Sequence, residues 1–186
     1  MTCHDFKGGT GTASRKLANE HGGYTVGVLV QANHGLRQDF QIAGIPVGKE
    51  LADIPSCYEN LHPGAREAGS IIAVLATDAP LLPHQLKRLA RRVPLGISRL
   101  GSNGEHYSGD IFLAFSTANP QVFRRAGVAG AQMLANDQMT PLFAATVQAM
   151  EEAVLNALVA ARTLTGIHGN TAYGLPHDRL RELFKR

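Results

Sequence analysis

The residues best placed for chemistry meet at one junction, where Gly69 and Ser70 open the run Gly69-Ser70-Ile71-Ile72-Ala73-Val74-Leu75-Ala76-Thr77-Asp78-Ala79-Pro80. A small residue, a serine and then a buried-strand pattern is what a self-cleaving hydrolase needs where its new N-terminus forms. Cutting the Gly69–Ser70 bond would leave Ser70 with a hydroxyl nucleophile and its own α-amine as base. An α-amine has a reference pKa of about 7.7–8.0, close to operating pH. Pairing such an amine with a hydroxyl is an established way to activate the nucleophile. Glycine suits the preceding position because it lacks a Cβ and tolerates strained dihedrals.

Other polar residues flank strand patterns. Asn33 follows an apolar run and reads either as a turn residue or as a side-chain amide aimed at a developing oxyanion. Ser108-Gly109-Asp110 precedes another strand and reads as a turn, with a catalytic role left open. No G-x-S-x-G elbow surrounds Ser70, which argues against an α/β-hydrolase. Gly8-Gly9-Thr10-Gly11-Thr12 is a poor phosphate loop, because Lys7 precedes the glycines where a P-loop places its lysine after them. A tight backbone crossing explains these glycines better.

The elements that must carry these residues follow from composition and pattern. With 186 residues, 44% hydrophobic and 18% charged, the chain is long enough for one well-buried domain. Aromatics make up 6% with no Trp, and the net charge of +3 is scattered apart from Lys87, Arg88, Arg91 and Arg92. Single-stranded nucleic-acid binding relies on stacking rings and a basic track, so neither feature favours it. The basic cluster reads as a solvated helix face. Cys3 and Cys57 make no disulfide framework, and the eight histidines show no metal-ligand spacing, so no zinc site is expected. No apolar run reaches the roughly 18 residues of a membrane span, and the first residues form no hydrophobic signal region.

Along the chain, residues 1–23 predict a glycine-rich loop or irregular strand. Tyr24 to Ala32 predicts a strand, with a turn at Asn33-His34-Gly35. Phe40 to Val47 predicts a short hairpin segment. Residues 48–69, with Pro55, Pro63 and Gly64, form the best candidate for an exposed, cleavable linker. Ser70 to Ala76 predicts a fully buried strand. His84 to Leu100 has helical spacing with a kink or stop at Pro94, and Asp110 to Ser116 predicts another strand. The longest helix starts at an N-cap Thr140 with Pro141 in the first position. It carries a stripe of Leu142, Val147, Met150, Val154, Leu155, Leu158 and Val159, and ends at Gly166. A last helix covers Asp178 to Arg186.

Several of these segments share a familiar order: His4-Asp5-Phe6-Lys7-Gly8-Gly9-Thr10-Gly11-Thr12-Ala13-Ser14-Arg15, Tyr24 to Asn33, Ala76-Thr77-Asp78-Ala79-Pro80-Leu81-Leu82-Pro83, Ser108 to Asn119, and Leu175-Pro176-His177-Asp178-Arg179-Leu180. Together they resemble the L-aminopeptidase/D-esterase and β-peptidyl aminopeptidase family from end to end. These are self-processing serine hydrolases similar to N-terminal-nucleophile enzymes.

The resemblance implies an α/β fold, a four-layer αββα sandwich, here incomplete at the N-terminus. It implies a longer precursor that cuts itself once before a nucleophilic serine, and oligomers of the cleaved heterodimer. Ser70 then matches the nucleophile and Gly69–Ser70 the scissile bond. Asn33 matches the asparagine of the oxyanion hole. Ser108 and Asp110 match the serine and acid that support the nucleophile; better known members carry glutamate there, and Asp110 is one methylene shorter. Met1 falls at an internal methionine of the family, so the expected organisation is one partial domain, residues 1–69 ending the α-chain part and 70–186 forming the β-chain part. The missing segment of the precursor carries a tyrosine of the active site and part of the substrate pocket.

The implied activity is release of N-terminal residues from small peptides, amides or esters through an acyl-enzyme on Ser70. It needs no metal or organic cofactor, and no nucleic-acid or membrane partner is expected. The two unpaired cysteines allow the cytoplasm as the expected compartment, or the periplasm if a leader precedes this sequence. Two alternatives stand beside this expectation. One is a truncated, inactive remnant. The other is a self-cleaving acyltransferase, disfavoured because those enzymes usually place threonine where Ser70 stands.

Overall fold

A computed structural model of the chain describes residues 1–57 and 69–185. The glycine-rich start, expected as a loop or irregular strand, forms regular strands. β1 (Thr2–Cys3) and β2 (Phe6–Lys7) pair as a hairpin, and β3 (Gly9–Lys16) runs for eight residues. The hairpin turns through His4 and Asp5, both with positive φ, as a two-residue turn of this hand requires. β3 keeps a period of two, with Thr10, Thr12, Ser14 and Lys16 exposed. Its inward positions include Gly11 and Ala13, too small to register as a hydrophobic pattern.

β4 (Thr25–Asn33), β5 (Ser70–Thr77) and β6 (Ile111–Ser116) complete a sheet of order β3-β4-β5-β6. The first two pairings are antiparallel and β5–β6 is parallel. Val26, Val28, Val30 and Ala32 of β4 and Ile71, Ala73 and Leu75 of β5 are buried. β5 is therefore half-buried rather than buried on both faces. Ile72, on its other face, is 43% exposed, and Leu29, Ile111, Leu113 and Phe115 are exposed with it. Among the described residues, the helices cover one face of the sheet and leave these apolar side chains open.

The covering layer is built from α2 (Pro83–Ala90), α3 (Val93–Ser98) and α4 (Thr140–Ala160). α1 (Val47–Glu50) precedes the linker region. A small hairpin of β7 (Leu164–Thr165) and β8 (Thr171–Ala172) leads to α5 (His177–Leu183). α4 packs on β3, β4 and α3. Its buried face is lined by Ala145, Ala149, Ala153 and Ala157 as well as Leu142, Met150, Val154 and Leu158. Val159, assigned to the stripe from the sequence, is 44% exposed. A Cβ at Gly11 would overlap the Ala153 carbonyl oxygen and lie 2.6 Å from the Ala157 nitrogen. The alanine seam and Gly11 together let helix backbone touch strand backbone, the close crossing expected for these glycines.

Several boundaries differ from the sequence pattern. The helix expected over His84 to Leu100 breaks at Arg91 and Arg92 into α2 and α3, and Pro94 sits in the first turn of α3, where a missing N–H is harmless. The hairpin expected at Phe40 to Val47 is a single bridge between Ile42 and Ile45. Met139, not Thr140, caps α4, and the helix ends at Ala161, five residues before Gly166, where the backbone turns extended. The linker expectation falls largely on residues 58–68, outside the described residues. The stretch Asn136–Ala160 is long and apolar enough to cross a membrane by length and composition, and one face of it is buried in the protein core. The basic cluster is less solvated than expected: Arg92 lies 3.8 Å from the Phe143 ring centroid, and Arg88 donates to Asn136 Oδ1 at 3.0 Å.

Candidate active site

Strand directions decide which side chains meet. β4 runs antiparallel to β5, so its last residue, Asn33, is the register partner of the first residue of β5, Ser70. β6 runs parallel to β5, with Ile72 opposite Ile111. Parallel strands need a long crossover, supplied here by α2, α3 and the loop after them. The crossover returns the chain to the same end of the sheet, which brings Ser108, Gly109 and Asp110 beside Ser70. All the residues singled out in the sequence thus gather where one strand ends and two begin.

The contacts there are short and directional. The Gly109 N–H donates to Ser70 Oγ at 2.9 Å. The Ser108 hydroxyl donates to Asp110 Oδ1 at 2.6 Å, and the Ile71 N–H donates to the same oxygen at 2.9 Å. Asp110 therefore ties the loop to the first peptide of β5, and its shorter side chain reaches both partners. Because the Ser108 proton is committed to Asp110, the Ser108 oxygen keeps lone pairs free to accept. Ser70, Ser108, Asp110 and Asn33 are all half-buried, accessible from the open face of the sheet.

Asn33 is held by a partner with no side-chain signature. The Thr2 N–H donates to Asn33 Oδ1 at 3.0 Å. With its oxygen occupied, the amide presents Nδ2, a pure donor. Nδ2 faces the junction: a Cβ at Gly69 would overlap both Asn33 Nδ2 and the Asn33 carbonyl oxygen. Only glycine fits between this amide and Ser70. The contributions of Thr2 and Gly109 come through backbone N–H groups, so residue type gave no signal for either.

A second polar group lies next to this one. Cys3, His4 and His34 are buried together, although their sequence separation suggested no ligand set. Arg37, also buried, stacks 3.6 Å from the Phe6 ring centroid and donates to the carbonyls of His4, Asp5, Leu51 and Ile54. That side chain ties the β1–β2 turn to the segment after α1.

Comparison with known proteins is consistent over the whole length. The model of Peptidase family S58 matches residues 1–172. A β-peptidyl aminopeptidase, BapA, from Sphingosinicella microcystinivorans is 50% identical over 195 aligned residues, covering 100% of this chain and 49% of the relative. A β-aminopeptidase structure from Burkholderia sp. superposes with a TM-score of 0.87 at 46% identity, covering 100% of this chain and 51% of that one. The L-aminopeptidase D-Ala-esterase/amidase of Ochrobactrum anthropi, described as a variant of the Ntn hydrolase fold, gives 0.87 at 45% identity, covering 100% and 50%. The chain spans about half the length of the relatives it matches.

Proposed function

The chain belongs to peptidase family S58, and from that premise we propose that it carries the nucleophile of a self-processing serine aminopeptidase. The observation that supports this most is the convergence of Asn33, Ser108, Gly109 and Asp110 on Ser70, with glycine sterically required before it. In the self-cleavage step, Ser70 Oγ attacks the Gly69 carbonyl and the peptide nitrogen leaves as the Ser70 α-amine. Water then hydrolyses the ester to a Gly69 carboxylate. The freed amine serves as base in turnover.

With substrate, Ser70 Oγ attacks the carbonyl of an N-terminal residue in a small peptide, amide or ester. Asn33 Nδ2 donates to the oxyanion, Gly109 N–H holds the nucleophile, and Ser108 passes protons while Asp110 fixes its orientation. Water resolves the acyl-enzyme and releases the residue. This scheme draws only on groups of the chain and on water.

The open apolar face of β4, β5 and β6 supports a second element of the reading: the chain works as part of a longer protein whose other segment covers that face. In that protein the division falls at residue 70, and oligomers of the cleaved form are expected. A chain that folds but cannot cut itself is the competing reading, favoured by the same exposed face.

Intact mass of the purified chain, beside Ser70→Ala, is the test. Masses for 1–69 and 70–186 in the parent, and one uncut mass in Ser70→Ala, support the proposal. Two pieces from Ser70→Ala would overturn the cleavage assignment, and an uncut parent would assign processing to the longer protein alone.

A further inference from the structure

Cys3, His4 and His34 have no place in the reaction above, yet they form the most concentrated set of soft donors among the described residues. Their exposures are 0%, 0% and 3%. One ligand atom from each lies within 4.8 Å of the others, and Cys3 Sγ is 3.9 Å from His34 Nδ1. His4 Nδ1 lies 3.2 Å from the Leu36 carbonyl oxygen. A carbonyl can only accept, so Nδ1 carries the proton of the neutral ring and Nε2 is a bare lone pair. Nε2 of His4 and Nε2 of His34 are both buried without a hydrogen-bond partner. Two orphaned ring nitrogens on neighbouring rings, whose centroids lie 5.4 Å apart, call for an occupant, since buried polar atoms are almost always satisfied.

We propose that Cys3, His4 and His34 bind one d10 cation, Zn²⁺ or Cu⁺, which pins the β1–β2 hairpin to the end of β4. A thiolate with two imidazoles is a donor set suited to both ions. Burial keeps both imidazoles neutral, with pKa values of about 4 for His4 and about 3 for His34, so each offers its lone pair at neutral pH. Burial raises the Cys3 thiol in the absence of a cation; on binding, the thiol proton leaves to solvent and the cation compensates the thiolate charge. The Leu36 carbonyl fixes the His4 ring as the acceptors behind ligating histidines do. Zinc-to-ligand distances of about 2.0–2.3 Å require the three donors to draw together by roughly an ångström or less.

The position gives the site a consequence. Cys3 follows Thr2, whose N–H holds Asn33, and His34 follows Asn33 itself. A cation there restrains the chain on both sides of that contact. The inference stands on these donors alone and does not depend on the peptidase reading.

The full purified chain, stripped with a chelator, is titrated with Co²⁺ as a spectroscopic stand-in for zinc, and separately with Cu⁺ under anaerobic reducing conditions. The expected result is binding of one equivalent, a thiolate-to-Co²⁺ charge-transfer band displaced by Zn²⁺, and a thermal midpoint raised by Zn²⁺. The band must vanish in Cys3→Ser and persist in Cys57→Ser. Should Cys3→Ser disturb the far-UV circular dichroism, Cys57→Ser decides alone, because Cys3 is then the sole thiol of the chain. Failure of both ions to bind stoichiometrically overturns the proposal, as does a band lost in Cys57→Ser or kept in a folded Cys3→Ser.

Discussion

Asn33 and Ser70 are cross-strand partners, the last residue of β4 against the first of β5, and their side chains share the open face of the sheet. That pairing puts an amide donor and a hydroxyl at one junction without any nearby sequence link between them. It also separates two functions of Asn33, whose oxygen accepts from Thr2 while its nitrogen faces the Gly69–Ser70 bond.

Asn33→Asp keeps an acceptor for Thr2 but removes the donor. Self-cleavage and hydrolysis should each slow by about 10²–10³-fold, the usual loss for one oxyanion donor. Asn33→Ala should be similarly slow and also less stable. Rates for Asn33→Asp close to the parent's would remove Asn33 from the oxyanion hole.

Gly69→Ala tests the steric argument. The added methyl overlaps the carbonyl oxygen and Nδ2 of Asn33, so the scissile bond must move away from its donor. Uncut precursor should accumulate, with processing at least roughly tenfold slower, and the thermal midpoint of the uncut form should fall because the overlapped atoms include backbone. Processing at the parental rate would show that the junction relaxes freely.

Asp110→Ala removes the acceptor shared by the Ser108 hydroxyl and the Ile71 N–H. Hydrogen bonds to a charged group are worth about 1.5–3 kcal/mol, or roughly 10–150-fold in rate if spent on positioning. Asp110→Glu should retain part of the activity. A time course of fragment appearance measures both, and an unaffected Asp110→Ala would reduce the carboxylate to a loop tether.

His4 and His34 make stability sensitive to acid. Burial depresses both folded pKa values, and His4 adds to the depression of His34. The unfolded chain therefore takes up protons first as pH falls. Their contribution is full above the ordinary imidazole range near 6.5 and is lost progressively toward folded values of about 4 and about 3. Each histidine contributes up to about 1.4 kcal/mol per pH unit in that window. Urea midpoints of Ser70→Ala protein in chelator, compared at about pH 7 and about pH 5, should fall, and fall less in His34→Gln. Equal pH dependence in the two proteins would exclude His34 as a source.

The sequence made β4, β5, β6 and α4 legible because apolar residues recur there at strand or helix spacing. It concealed β3, whose inward positions include Gly11 and Ala13, and the alanine face of α4 that packs on it. The candidate residues Ser70, Asn33, Ser108 and Asp110, which the fold brings to one junction, were singled out through resemblance, since spacing alone left each as a turn or strand residue. The Thr2 and Gly109 contacts were not, because a backbone N–H belongs to every residue but proline. The Cys3, His4 and His34 group was hidden for a topological reason: the fold lays the β1–β2 turn against the end of β4, where the His4 N–H donates to the His34 carbonyl oxygen at 2.8 Å across some thirty residues of sequence.

The β4–β5 ladder spans Val26↔Thr77 through Asn33↔Ser70, and the proposed cut falls at its edge. Two polypeptides would then share one sheet, with β3 and β4 on one piece and β5, β6 and α4 on the other, and α4 lying across the first piece. Breakage of one peptide bond changes the molecularity of folding. Before it, the ladder closes within a chain at a rate independent of concentration; after it, two pieces must find each other in solution. Cleaved protein, once denatured and diluted, should refold with second-order kinetics that the uncut chain does not obey, so the order of folding and cutting becomes part of how the molecule is made.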